Sequence, residues 1–416
     1  MSDHHQVLGQ VVLGYAPVVD RQRAVIATRL TIFPERRDAP PDARALIDAL
    51  AGAFPETAGG LNITLRSLDG SAPAGPTLKA TPLLLNIANE ALLDAVLSLP
   101  PPPQVTVEVP AFMASNPARL GQLQELKANG VSLAIKGRPV TELPRELLPC
   151  FGLALVEVSE ERRTSAAPQS AARTIATVST GARTTAEVEA AFAAGAQAVA
   201  GWPLDEPVPG VKGGLPPDLR GIVELMNRVD REEPAEKMEP VLKADPTLAF
   251  RLLRYINSAA FGLRVEVTSF KHALMLLGYT RLKRWLALLL ASASKDPTQR
   301  PLMHLAVRRG LLMGELARAS GDDEMRNEMF ICGVFSLLDR LMRQPFDELL
   351  KNVPVPEQVQ STLLGNGPFV PALDLVRALE QSSLADIRDN SERMLTSSAE
   401  VNRALLAALT SARQLS

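Results

Sequence analysis

The chain has 416 residues, of which 46% are apolar and only 4% aromatic, and its formal net charge is -2 at pH 7. This length favours two domains of about 200 residues each, with cores built mainly from aliphatic side chains. The nearly balanced charge argues against a chain-wide electrostatic footprint for nucleic acid.

The first half alternates strand-like and helix-like segments. Val11–Val19 and Ala24–Phe33 are β-branched runs separated by a polar turn, and they predict a hairpin. Further predicted strands are Leu83–Ile87, Val105–Val109, Val131–Ile135, Leu153–Val158, Thr174–Val178 and Ala196–Ala200. Predicted helices are Pro41–Ala51, Glu90–Leu99, Pro117–Asn129 and Thr185–Ala194. Strands that alternate with helices imply parallel pairing, and this number of strands suits a TIM-like β/α barrel.

Pro203–Pro217 is rich in proline and glycine, so we predict the domain boundary there. The expected division is a barrel domain at residues 1–205, a linker at 206–217 and an all-helical domain at 218–416. Predicted helices in the second half are Leu219–Val229, Ala235–Leu242, Thr247–Ile256, Phe270–Leu277, Arg281–Ala291, Leu302–Ala319 and Asn327–Met342.

A cytoplasmic protein is expected. The N-terminus, Met1–Gln10, has no basic segment followed by an apolar stretch, so no signal peptide is predicted. The longest apolar run, Leu286–Ala291, is far shorter than a membrane span. Cys150 and Cys332 lie in different halves, which fits a reducing compartment and offers no metal-binding spacing.

One compositional gap bears on chemistry. Between Ala95 and Leu204 the chain has no aspartate and no histidine, although this stretch is patterned like an enzyme barrel. Metal-assisted hydrolysis and acid–base catalysis depend mainly on Asp, Glu and His, and barrels carry such residues at the carboxyl ends of their strands. The pattern therefore indicates an enzyme-like fold that has lost its catalytic residues.

Ala244–Leu290 resembles the HDOD domain of bacterial signalling proteins. The likeness lies in Asp-Pro-x-Leu before a helix, in the turn Asn257–Gly262, and in Ala-x-x-Leu-Leu-Gly at Ala273–Gly278. The resemblance implies a helical domain related to HD phosphohydrolases but without their metal-binding histidine–aspartate pair. Ser336 and Leu337 stand where that pair would be.

His304 matches an upstream histidine of the same family. One imidazole does not make a binuclear site, so we expect His304 to make a structural hydrogen bond or to lie on the surface. No metal and no cofactor are expected in this domain.

The first half resembles the EAL domain, the barrel phosphodiesterase that cleaves cyclic di-GMP. The segments that carry the likeness are Gly14–Asp20, Leu84–Ile87, Val107–Val109 and Ala200–Trp202, which occur in the order of the family's strands. The fold class implied for the whole chain is α/β plus all-α, an EAL-like barrel followed by a helical HDOD domain.

The resemblance also shows which EAL residues are replaced. The signature Glu-Ala-Leu becomes Thr28-Arg29-Leu30, so the first metal ligand is lost. The paired aspartates after the fifth strand become Lys136-Gly137, and the expected general base aligns on Thr177. The lysine of the family's Lys-x-Asp pair is also missing, because no lysine lies between Lys136 and Lys212.

Asn86 and Glu108 remain from the expected ligand set, with Glu157 as a third oxygen donor. Without the central aspartates these groups do not suffice for two divalent cations, and Lys136 would repel such ions. The ordinary interpretation of Glu108 and Glu157 is that they face water at strand ends or pair with Lys136.

These losses predict a protein that is not an enzyme and acts as a signalling adaptor through protein–protein contacts. The family's role implies a partner in a second-messenger pathway related to cyclic di-GMP, with effects on motility or biofilm formation. A second interpretation is a sensor that binds cyclic di-GMP or another nucleotide without cleaving it, with Lys136 and Arg29 attracting phosphates.

Candidate partner surfaces are few. Asn257, Phe261, Gly262 and Arg264 belong to a turn between helices, where recognition residues often lie, although they also suit simple helix packing. A homodimer is compatible with the sequence. Nucleic-acid binding by the basic helix at Thr280–Ala291 is not expected, since its basic end precedes an apolar run that must be buried.

Overall fold

The chain forms two compact units. The computed structural model describes residues 6–54, 83–99, 102, 104–138, 144–160, 175–207, 217–244, 270–294 and 296–414. The first unit comprises Met1–Glu206 together with Arg377–Leu406. The second unit comprises Pro207–Val376 and Ala407–Ser416.

The first unit contains a closed eight-stranded barrel, which confirms the predicted TIM-like fold. Its strands follow chain order around the barrel: β1 Val11–Asp20, β2 Val25–Pro34, β3 Leu83–Ile87, β4 Val105–Pro110, β5 Ser132–Lys136, β6 Phe151–Glu157, β7 Ala176–Thr180 and β8 Ala198–Ala200. β1 is antiparallel to both β2 and β8, and all other neighbours are parallel. The predicted hairpin is therefore confirmed, because β1 and β2 pair from Val11–Pro34 to Val19–Val25.

β1 and β2 are longer than the other strands, and their paired residues are called the β1–β2 ribbon below. β8 pairs only with Val18–Asp20, so residues 11–16 of β1 have none of the described strands on their second edge. Because β1 is antiparallel to β2, this part of the ribbon lies at the carboxyl ends of the parallel strands.

The inside of the barrel is filled by a ring of apolar side chains from seven of the eight strands: Val18, Ala27, Leu84, Ala134, Leu155, Val178, Ala198 and Ala200. Side chains of a strand alternate between the two faces. This ring therefore defines which residues of each strand point inwards.

Short helices cover the outside of the barrel at α1 Ala43–Gly52, α2 Glu90–Leu97, α3 Ala111–Ala114, α4 Leu120–Ala128 and α5 Thr185–Ala193. Polar side chains start several of them in the expected way. Asp42, Asn89 and Thr184 each accept a hydrogen bond from a backbone N–H of the first turn. The prediction of one helix over Pro117–Asn129 is refined, because its first three residues form a 3₁₀ turn before α4.

The second unit is helical. Its elements, together with those that return to the barrel unit, are α6 Pro217–Asp230, α7 Ala235–Ala244, α8 Phe270–Ala291, α9 Arg300–Leu316, α10 Asp323–Phe335, α11 Leu338–Met342, α12 Phe346–Leu349, α13 Glu357–Leu363, α14 Val370–Gln381, α15 Leu384–Arg393 and α16 Ser398–Gln414. Gly278, with φ 69°, breaks α8 where the sequence predicted separate helices. The prediction of one helix over Asn327–Met342 was wrong, since the chain leaves helical geometry at Leu337 between α10 and α11.

Glycines bring α9 and α10 into close contact. A Cβ on Gly333 would lie 2.5 Å from the carbonyl oxygen of Arg309, and a Cβ on Gly310 would collide with Val334. The absence of side chains at these two positions lets the helix backbones approach each other directly.

The C-terminal helices differ from the predicted domain division. Residues 377–406, from the end of α14 through α15 into α16, pack with the barrel rather than with the helical unit. The prediction that 218–416 form one separate domain was therefore wrong for this segment. Periodicity identified the helices, but an amphipathic helix does not show which surface it covers.

Other predictions fall on residues outside the described ranges. The helix Thr247–Ile256 and the turn with Asn257, Phe261, Gly262 and Arg264 are among them, as is most of the linker, residues 208–216. Among the described residues no helix is both long and apolar enough to cross a membrane.

Candidate functional site

Five of the seven predicted pocket residues meet inside the barrel near the carboxyl ends of the strands. Four of them lie two positions beyond a residue of the apolar ring on their strands, and alternation places them on the inner face: Arg29, Asn86, Lys136 and Glu157. The fifth, Glu108 on β4, is paired in register with Ala134 of the ring and bonds to Arg29. This end of a β/α barrel is where such folds carry their chemistry.

Arg29 and Glu108 form a bidentate ion pair in this pocket. Arg29 Nε donates to one carboxylate oxygen at 2.6 Å and Nη2 donates to the other at 2.7 Å. The Glu108 side chain is 0% exposed and that of Arg29 is 16% exposed. Burial disfavours the charged guanidinium, but the charge and hydrogen bonds of Glu108 outweigh burial and raise the pKa of Arg29. Both oxygens of the buried carboxylate are therefore engaged by a permanent cation.

Lys136 binds the side-chain amide of Asn86 in the same pocket. Its Nζ donates to Asn86 Oδ1 at 2.8 Å, and Asn86 Nδ2 donates to the hydroxyl of Thr31 at 3.2 Å. Burial and then the nearby positive charge of Arg29 lower the pKa of Lys136. The expectation that Glu108 faces water or pairs with Lys136 was wrong, since its partner is Arg29.

Thr28 and Thr177 do not belong to the pocket, which corrects two predicted site residues. Their neighbours Ala27 and Val178 are part of the inner ring, so the two threonines point to the opposite face of the sheet. The inner-face positions of β2 and β7 near the mouth are Arg29 and Thr180, so neither strand supplies a carboxylate there.

Glu157 is the remaining carboxylate at the mouth, at the exposed end of β6. Its side chain packs beside Gly181, where a Cβ would lie 3.2 Å from Glu157 Cγ. A water-facing position for this residue agrees with the ordinary interpretation of the sequence.

The pocket does not fit a divalent metal centre. Mg²⁺ and similar ions need several oxygen ligands, with anionic charge among them. Here one carboxylate is saturated by Arg29, the amide oxygen of Asn86 is occupied by Lys136, and two cations stand where positive ions would have to bind. Among the described residues no group of three or more His, Cys, Asp or Glu side chains is arranged for a metal ion.

The helical unit contains a second arrangement of interest, at the end of α10. Ser336 donates to the carbonyl oxygen of Gly333 at 2.7 Å and accepts from Arg309 Nη1 at 3.1 Å. Leu337 is 1% exposed and part of the core. A hydroxyl and an alkyl side chain therefore occupy the positions that the family resemblance relates to the metal-binding pair, and the buried guanidinium of Arg309 donates to that hydroxyl.

His304 lies on α9 and is buried rather than on the surface. Its Nε2 makes no hydrogen bond within the described part of the chain. Burial and then the charge of Arg308 lower the pKa of His304 well below its usual value. The imidazole is consequently neutral at physiological pH.

The sequence alone did not identify Arg309, or the pairing of Arg29 with Glu108. For Arg29 and Glu108, the available signal was opposite charge at inner-face positions of β2 and β4, which are separated in the barrel by β3. Arg309 gave no such signal, because its partner is a neutral hydroxyl.

Comparison with known proteins identifies a family model and relatives that match parts of the chain. Residues 215–346 match the family model of the HDOD domain, which confirms the helical domain predicted from the sequence. The Bacillus subtilis protein YuxH is 23% identical over 295 residues, covering 68% of this chain and 72% of YuxH. The cyclic di-GMP phosphodiesterase CdgJ of Vibrio cholerae is 27% identical over 147 residues, covering 35% of this chain and 34% of CdgJ.

Solved structures with some similarity include two complexes with cyclic di-GMP. The PaMucR phosphodiesterase aligns with a TM-score of 0.31 and 20% identity, covering 49% of this chain and 95% of that one. The FimX EAL domain of Xanthomonas citri aligns with a TM-score of 0.29 and 14% identity, covering 49% and 94%. At these scores the alignments add nothing to the fold assignment, which rests on strand order and register.

Proposed function

We propose that this protein is a catalytically inactive signal-transduction adaptor that acts through protein–protein contacts in a pathway related to cyclic di-GMP. The observation that carries the proposal is the pocket's internal neutralisation. The buried carboxylate of Glu108 is held by Arg29 at both oxygens, and Lys136 holds Asn86.

This arrangement opposes the chemistry that the barrel resembles. Metal-assisted phosphodiester hydrolysis needs cations that bind the phosphate and activate water. A protein that supplies its own cations at those positions has no charge left to bind metal ions. The buried ion pair also resists opening, because removing one partner would leave the other charge buried without compensation.

The pathway is proposed from similarity. The barrel resembles the EAL domain in its sequence segments, and CdgJ, one of the chain's relatives, is named as a cyclic di-GMP phosphodiesterase. Fold alone does not determine activity, so the pocket residues weigh more than the relative's name. An adaptor would keep the shape of both domains and use their surfaces to bind a protein partner, with a homodimer as one form of that association.

The test has a chemical and a cellular part. We expect the full chain to show no hydrolysis of cyclic di-GMP with Mg²⁺ or Mn²⁺ in the medium. In cells that lack the protein, we expect the Lys136→Met variant to complement the deletion as well as the wild type does, because an adaptor does not need the pocket's charge for its function. Glu157→Gln, at the exposed rim, is the matched control. Turnover that disappears in Glu108→Gln would contradict the proposal.

A nucleotide sensor is the second candidate, and Lys136 is the observation that favours it. Its ammonium lies at the carboxyl end of β5 and gives the Arg29–Glu108–Lys136 group a net positive charge, provided Lys136 is protonated. Positive charge at a pocket mouth attracts phosphates. Calorimetric titration of cyclic di-GMP into the wild type and Lys136→Met distinguishes the candidates. A sensor gives saturable heat that the variant loses, whereas an adaptor gives none.

A further inference from the structure

The C-terminal segment makes a dense set of polar contacts with the free edge of the β1–β2 ribbon. Asn402, on α16, is 1% exposed. Its Oδ1 accepts from the backbone N–H of Leu13 at 3.2 Å, and its Nδ2 donates to the carbonyl oxygens of Val11 and Leu8, both at 2.8 Å. One side-chain amide thus satisfies the edge groups of Leu13 and Val11, which a neighbouring strand would otherwise pair, and the carbonyl oxygen of Leu8, which precedes β1.

An unpaired strand edge is costly when it is buried and prone to association when it is exposed. β8 does not reach residues 11–16 of β1. Among the described residues between β8 and α6 there is no helix to cover this side of the barrel. The C-terminal helices supply the missing cover from a part of the chain almost 400 residues away.

Further contacts secure the same segment to both strands. Tyr15 donates its hydroxyl to Glu380 at 3.1 Å, which links β1 to the end of α14. Arg388 donates to the carboxylate of Glu35 at 2.8 Å, just after β2, and Ser398 donates to the other oxygen of that carboxylate.

The turn between α14 and α15 approaches the ribbon most closely at Gly14. A Cβ on Gly14 would lie 2.7 Å from the Cα of Ser382, whose backbone has φ 53°. Only glycine leaves room for this approach. Gly14 is directly opposite Thr31 on β2, the residue whose hydroxyl accepts from Asn86 in the pocket.

We propose that residues 377–406 form a strap that holds the β1–β2 ribbon and thereby positions Arg29 and Thr31 in the barrel pocket. The chain passes between the two units at 206/207, 376/377 and 406/407. Residues 207–376 of the helical unit are therefore inserted into the barrel unit's sequence, and the strap is joined to the helical unit at both ends. A conformational change on binding to the helical unit can therefore reach the pocket along the chain, through this strap.

The proposal goes beyond the adaptor function and does not depend on it. A strap that positions the pocket would be present in an adaptor, in a sensor or in an enzyme. If the strap fails its test, the charge pairing in the pocket still supports the adaptor proposal. If the adaptor proposal fails, the contacts of the strap are unaffected.

Amide hydrogen exchange on the full chain tests the strap. In Asn402→Ala, the backbone groups of β1 lose their partners, so exchange in residues 11–17 and 28–34 should rise by roughly tenfold or more. Gly14→Ala should give the same pattern, because it displaces Ser382 without removing any hydrogen bond. Gly9→Ala is the matched control, since its Cβ would meet Ala399 only at an ordinary 3.5 Å.

The readout that separates positioning from local packing is the Arg29 Nε–H signal in a nitrogen-15 spectrum. Its exchange with solvent should accelerate in Asn402→Ala and Gly14→Ala and remain slow in Gly9→Ala. If Asn402→Ala or Gly14→Ala does not fold, Arg388→Gln takes its place. It removes an exposed strap contact and should give a smaller acceleration of the Arg29 Nε–H exchange. Unchanged Arg29 exchange in folded strap variants, or an equal rise in exchange in all strands, would overturn the proposal.

Discussion

The Arg29–Glu108 pair allows a quantitative test, because its two members differ in burial. Arg29→Met would leave the Glu108 carboxylate charged, or force its protonation, in a position with 0% side-chain exposure. Glu108→Met would leave a guanidinium that is 16% exposed and retains some water. Breaking a buried pair costs about 3–5 kcal/mol, so we expect Arg29→Met near the upper end of that range and Glu108→Met near the lower end.

The double variant Arg29→Met/Glu108→Met should be far more stable than the sum of the single effects implies. Replacing a whole buried ion pair by apolar side chains of similar volume is often neutral or stabilising. We therefore expect a coupling free energy of about 3 kcal/mol or more between the two positions.

The assay is urea unfolding of the full chain, and the two tryptophans report on separate units. Trp202 belongs to the barrel unit and Trp285 to the helical unit. A Trp285→Phe background makes fluorescence follow the barrel alone, which separates the two transitions. Single variants that each cost less than about 1 kcal/mol, or a double variant equal to their sum, would refute the reasoning about a desolvated pair.

Two other predictions concern the helical unit. Because the pKa of His304 is lowered by burial and by Arg308, the folded state binds a proton less readily than the unfolded state, so stability should fall as pH drops below the unfolded pKa of about 6.5. His304→Gln should reduce the pH dependence of the free energy of unfolding by up to about 1.4 kcal/mol per pH unit, measured by urea unfolding followed by Trp285 fluorescence. An identical pH dependence in the wild type and the variant would contradict this prediction. Gly333→Ala should destabilise by about 3 kcal/mol, because its Cβ would lie 2.5 Å from the Arg309 carbonyl oxygen. Gly314→Ala, on α9 of the same unit, is the control and should not destabilise, because its Cβ would meet Phe330 only at an ordinary 3.5 Å.

Local patterns in the sequence were sufficient for most elements of the barrel. Leu83–Ile87 was predicted with its observed bounds, because a run that is apolar on both faces suits a strand covered by helices. The hairpin of β1 and β2 followed from two β-branched runs around a polar turn. These features depend only on neighbouring residues.

Features that depend on distant residues were missed. The alignment placed Thr28 in the pocket, because a motif match cannot fix which face of a strand a residue occupies to within one position. Asn402 and Leu13 are separated by 389 residues, and nothing in the periodicity of α16 indicates that it returns to β1. The pairing of Arg29 with Glu108 likewise required the barrel to close before it could be recognised.

Calorimetric titration of Mn²⁺ into the full chain tests most directly whether the pocket's own cations exclude divalent metal ions. We expect no saturable heat in the wild type and none in Glu108→Gln. Saturable binding of Mn²⁺ to the wild type that is abolished in Glu108→Gln would contradict it, because Glu108 would then be a metal ligand rather than the partner of Arg29.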